Sequence, residues 1–81
     1  MKSNHKKAFA KLVSIGCPCY QNADHQKDGT FGISAEDFNW ADYYPCFQSG
    51  PWINRDIEKI LAPLGLYADW ECPGALCVCE G

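Results

Sequence analysis

Tyr67-Ala68-Asp69-Trp70-Glu71-Cys72-Pro73-Gly74-Ala75-Leu76-Cys77-Val78-Cys79 is the stretch whose reading decides the fold. Two short runs flank Pro73-Gly74 and read as a β-hairpin, with Pro73 presetting φ and Gly74 supplying positive φ. In the first strand Tyr67, Asp69 and Glu71 alternate with Ala68, Trp70 and Cys72, which implies one solvated and one buried face. In the second, Cys77 and Cys79 share a face. A loop of two or four residues puts Cys72 on that face as well, and a loop of three sends it to the other.

Outward from the hairpin, two helices are expected. Residues 3–15 carry His5, Ala8, Phe9, Leu12 and Val13 as an apolar stripe, with Ser3 or Asn4 to cap the orphan amides and Gly16 as a stop. His5 at the stripe's edge reads as a half-buried structural histidine, and Lys6, Lys7 and Lys11 as a solvated basic face. Asn54 caps a second helix whose stripe is Ile57, Ile60, Leu61 and Leu64, ended by Pro63 and redirected at Gly65. Phe31-Gly32-Ile33 reads as a short strand. Ser34 then reads as the cap of a third helix running from Ala35 to Tyr44 and stopping before Pro45, with Glu36 and Asp37 in its first turn. The polar residues 20–30 read as a surface loop ending in an Asp28-Gly29 turn, and Ser49-Gly50-Pro51 as another turn. The expected architecture is a single small α+β domain over residues 1–81: two or three short helices on a short antiparallel sheet that includes the C-terminal hairpin. The cysteines are expected to gather near one end of that sheet.

Eighty-one residues bury only about 60–65% of their unfolded surface, so a staple or metal is a plausible supplement to the core. No apolar run is long enough to cross a membrane. The apolar run after Lys7 is broken by Lys11 and falls short of a secretory h-region, which makes the cytosol, with its reduced thiols, the expected compartment. Net charge is −3, but Lys2, Lys6, Lys7 and Lys11 stand in a segment without acids, while all ten Asp and Glu follow residue 20. Four lysines without an arginine make a thin footprint for nucleic acid, which is therefore not the expected partner.

The six cysteines admit four readings. Cys17 and Cys19, at a helix end and separated by Pro18, could join two of Cys72, Cys77 and Cys79 in a tetrahedral structural zinc site. Cys17, Cys19, Cys72 and Cys77 are the expected ligands and Cys79 the substitute, although the spacings are not the common C-x2-C pairs. His25 is a weaker fourth ligand beside Cys17 and Cys19. The second reading is a disulfide framework in a secreted scaffold. The third is thiol redox or metal-carrier chemistry at a C-x-C pair, opposed by the helix C-terminus at Cys17 and by Glu71 and Glu80 around Cys77 and Cys79. In the fourth all six are reduced and structural; Cys46, alone among aromatics, reads as a buried small hydrophobe.

There is no phosphate loop, metalloprotease motif or nucleophile elbow, so no enzyme is expected. Seven of the eleven aromatics lie between Phe31 and Trp52, too many for a small core to enclose. Asp37, Phe38, Trp40, Asp42, Tyr43 and Tyr44 are therefore the expected partner-binding surface, acidic and aromatic together. The expected function is that of a non-enzymatic protein-binding module, an adaptor or inhibitor, with nucleic-acid-handling machinery among its targets.

Overall fold

The computed structural model of the protein describes residues 1–44, 46 and 50–81. Its elements in chain order are α1 (Ser3–Ser14), β1 (Cys19–Tyr20), α2 (Ala23–Asp28), β2 (Gly32–Ser34), β3 (Ala41–Asp42), β4 (Trp52–Ile53), α3 (Arg55–Leu61), a 3-10 turn (Ala62–Leu64), β5 (Leu66–Cys72) and β6 (Ala75–Glu80). The fold is α+β, with a four-stranded antiparallel sheet in the order β1-β2-β6-β5 and a separate pair β3-β4.

β6 is the strand on which the sheet is built, because it pairs with β5 on one side and β2 on the other. Its alternation fixes the two faces. Residues paired across antiparallel strands share a face, so Cys19, Ile33, Leu76 and Trp70 form one row, and Tyr20, Gly32, Cys77 and Asp69 the next, on the opposite side. The first side carries the core: Ile33, Leu76, Val78 and Leu66 pack with Phe31, with Ala8 and Leu12 of α1, and with Ile57 and Leu61 of α3. α1 rests on α3 and β1, and α3 on β5. The second side is left open except where α2 folds over its β1–β2 end.

α1 and α3 form where their stripes predict, with differences at the edges. Asn54 caps α3 by accepting from the Asp56 amide at 2.9 Å, and Gly65 turns the chain at φ 74°. α1 has no side-chain cap; its N-cap position is Lys2. Asn4 bonds its own neighbour instead, the His5 amide, at 2.9 Å. Val13 is exposed, because the helix buries His5, Ala8 and Leu12 and turns Val13 to solvent.

Two expectations are corrected. Residues 23–28 form a helix where a loop was expected. The Asn22 side chain accepts from the His25 amide at 2.9 Å, the Asn22 amide donates to His25 Nδ1 at 3.3 Å, and Gly29 closes the helix at φ 72°. This is a reciprocal capping box with histidine in the place Glu or Gln usually takes. Conversely, no helix runs from Ala35 to Tyr44. Ser34 Oγ accepts from the Glu36 amide, Asp37 Oδ1 from Asn39 and Asp42 Oδ1 from Tyr44, each two residues on. Such local bonds offer the backbone an alternative to the helical ladder, and Phe38, at φ 61°, is left-handed and breaks any helix through it. Of the predicted Ser49–Pro51 turn, Ser49 lies outside the described residues.

The hairpin loop has two residues, Pro73 and Gly74, with Cys72 paired to Ala75. Gly74 is not among the positive-φ glycines. The register instead shifts between Trp70 and Cys72, and the bulge at Glu71 supplies the extra twist that a turn without positive φ lacks.

His5 is fully buried, and its Nε2 has no hydrogen-bond partner. Burial lowers its pKa, opposed by the Val78 carbonyl and Glu80, although no bond of good geometry reaches Nε2. A neutral buried histidine contributes stability that is complete above the unfolded value of 6.5 and is lost as the pH falls from there towards the lowered native value. Thermal unfolding of the wild type should therefore weaken between pH 7 and pH 5 more steeply than that of His5→Leu. Parallel profiles would refute this assignment.

Gly32 supplies a second test, because a Cβ there would lie 2.8 Å from the Tyr20 ring and 2.9 Å from the His25 ring. Gly32→Ala should cost about 1–3 kcal/mol in chemical denaturation by overpacking this contact.

Candidate functional site

The cysteines separate onto the two faces of the sheet. Cys17 is buried in the core and Cys19 packs against it from β1. Pro18 between them is the centre of a tight turn, closed by the Cys19 amide donating to the Cys17 carbonyl at 2.9 Å. The two thiols influence each other: Cys19 and burial drive the Cys17 pKa up, while Cys17 pulls that of Cys19 down.

Cys77 and Cys79 lie on the other face, as the strand alternation requires, with their sulfurs 3.5 Å apart. The even-numbered loop brings Cys72 to this face too, opposite Ala75. Burial, the Cys79 thiol and the carboxylates of Asp69 and Glu71 together push the Cys77 thiol up to about 11. Tyr20 shares the face; its hydroxyl lies 3.5 Å from Glu71 Oε2, and its pKa is raised by burial and by the charges of Glu71, Cys72 and Cys77. The four-cysteine set Cys17, Cys19, Cys72 and Cys77 is thus divided by the sheet, and Cys79 as substitute stands on the far side as well. Among the described residues no three His, Cys, Asp or Glu side chains converge as metal ligands. The cysteines do not gather at one end of the sheet, and Cys46 is exposed rather than buried. His25 is buried beneath the Tyr20 ring, 5.4 Å between centroids, with its Nδ1 engaged in the α2 cap.

The acidic aromatic segment keeps most of its expected exposure. Phe38 is 62% and Tyr44 76% exposed; Asp37 is exposed, and Asp42 and Tyr43 are half-buried. Tyr43 stands edge-on to Tyr44 at 4.8 Å and to Trp70 at 5.2 Å. Trp40 is the exception: it packs against the core and anchors the segment, its carbonyl accepting from Asn54 at 2.8 Å. No pocket is found among the described residues. Comparison with known protein families, curated proteins and solved structures finds no match to this chain.

Alkylation mapped by mass spectrometry should separate the thiols by these environments. At pH 8 the exposed Cys46 and Cys72 react first, and among the three half-buried thiols Cys19 precedes Cys77. The rate at Cys77 should keep rising roughly tenfold per pH unit towards pH 11. Equal rates at Cys19 and Cys77 would contradict this ordering.

Proposed function

We propose that the protein is a non-enzymatic binding module that occupies a basic surface of another protein, as an adaptor or inhibitor, and that nucleic-acid-handling machinery, rich in such surfaces, supplies its target. The observation that carries the reading is Phe38. A phenylalanine held left-handed costs roughly 1–2 kcal/mol, and this one recovers little by burial because it is 62% exposed. Strain of this kind persists where function uses it. Exposed Tyr44, with the carboxylates of Asp37 and Asp42 alongside, adds the aromatic and acidic character that suits a cationic partner. Both carboxylates are oriented by the backbone amide each accepts, which reduces the ordering cost of binding.

Phe38→Asn separates the two sides of this argument, because asparagine tolerates the left-handed region. It should hold or raise stability by up to about 1 kcal/mol while weakening partner capture by roughly 30-fold, the loss of one hot spot. Asp37→Lys with Asp42→Lys should abolish capture of a basic protein by the immobilised chain, with the circular dichroism unchanged. Trp40 is a poor probe because its removal disturbs the core. Equal capture by wild type, Phe38→Asn and the charge-reversed pair would overturn the proposal.

A second reading, thiol exchange, draws on one observation, the tight turn at Pro18 that sets Cys17 and Cys19 side by side. A Cys19 that titrates well below the free value of about 8.5 would favour it.

A further inference from the structure

We propose that Cys77 and Cys79 form an open, exchangeable site for a thiophilic d10 dication, with Zn(II) as its ligand, on the uncovered face of the sheet. The inference does not depend on the protein-binding reading, which concerns other residues.

The geometry separates metal binding from the other fate of two close thiols. The sulfurs lie 3.5 Å apart. Two thiolates on tetrahedral zinc, each at about 2.3 Å, stand about 3.8 Å apart, so binding asks for a movement of about 0.3 Å, within the reach of small χ1 adjustments. A disulfide asks for much more. Residues i and i+2 of a strand have Cα atoms about 6.6–6.8 Å apart with parallel Cβ vectors, at the upper limit for a bridge whose S–S length is about 2.05 Å. Closing it would buckle β6, which is hydrogen-bonded on both sides. The central position of β6 therefore preserves the pair as a dithiol and presents both sulfurs in parallel.

Charge on this face favours a cation. Asp69 is directly opposite Cys77, Glu71 sits at the neighbouring bulge, and Tyr20 and Tyr67 frame the pair. His25, at the α2 end of this face, has its Nδ1 engaged in the α2 cap. On binding, each thiol releases its proton to solvent as the metal–sulfur bond forms. No third protein donor converges with these sulfurs among the described residues. Two coordination positions are thus left to solvent or exogenous ligands, as in sites that exchange metal rather than sites that hold a fold together. The Cys17–Cys19 pair differs because Cys17 is buried in the core.

The test uses the reduced full-length chain and Cd(II) as a spectroscopic stand-in. Titration should give one equivalent, with a charge-transfer band of two-thiolate intensity that Zn(II) bleaches in competition. Cys77→Ser with Cys79→Ser should lose the band, whereas Cys72→Ser and Cys19→Ser keep it within about 20% of wild type. Because the double variant could disturb β6, a wild-type measurement stands beside it: Zn(II) should slow alkylation of Cys77 and Cys79 at least tenfold and leave Cys46 unchanged. Protection centred on Cys17 and Cys19, equal slowing at all six thiols, no slowing, or loss of the band in Cys72→Ser would each overturn the assignment.

Discussion

The arrangement of the molecule depends on β6 being paired on both edges. A central strand cannot rotate or slip without breaking two ladders, so its alternation is imposed on everything that touches it. Leu76 and Val78 face the helices and close the core with Ile33 and Phe31. Cys77 and Cys79 are thereby committed to the opposite side, whatever their chemistry. β1, only two residues long, takes its register from β2, which puts Cys19 in line with Ile33 and Leu76 on the helix side. One constraint sets Cys17 and Cys19 on one side and Cys72, Cys77 and Cys79 on the other, and the divided zinc set follows from it directly.

The features legible in the sequence were those carried by long periodic runs. α1, α3 and the hairpin each have enough residues for a stripe or an alternation to declare itself, and Asn54 and Gly65 mark their boundaries with side chains suited to the task. α2 was illegible because it has six residues, too few for a stripe, and because histidine is not the usual partner in a capping box. The segment after Ser34 misled for the opposite reason. Its cap-and-acid opening resembles a helix start, yet Ser34, Asp37 and Asp42 direct their oxygens to amides two residues on, and propensity alone does not say which of the two bonding schemes wins.

Of the candidate site, the shared face of Cys77 and Cys79 was readable from the strand period, and the exposure of Phe38 and Tyr44 from the excess of aromatics. The relation between Cys17 and Cys19 was not. It depends on the turn at Pro18, which sets the two thiols beside each other, so that the Cys17 pKa is raised and that of Cys19 lowered. Trp40 likewise reads as surface from its neighbours, and only tertiary packing shows it to be the anchor from which Phe38, Tyr43 and Tyr44 project.

A sheet of four strands with helices on one side leaves a small chain a choice about its second face. Covering it fully would need another layer of apolar residues, and this chain places Phe38, Trp40, Tyr43 and Tyr44 in the 38–44 segment instead. α2 covers only the β1–β2 end, where Gly32 leaves room for the Tyr20 and His25 rings. The remaining face is lined by thiols, phenols and carboxylates, groups that tolerate water and bind cations. Because the rigid hairpin supports both this face and, through Trp70, the Tyr43–Tyr44 cluster, the two surfaces meet at β5. The bulge at Glu71 lies at that junction, bringing Cys72 round to the thiol side while Trp70 stays with the aromatics. A change in the bulge would therefore act on both surfaces together, whereas changes at Phe38 or at Cys79 would each act on one.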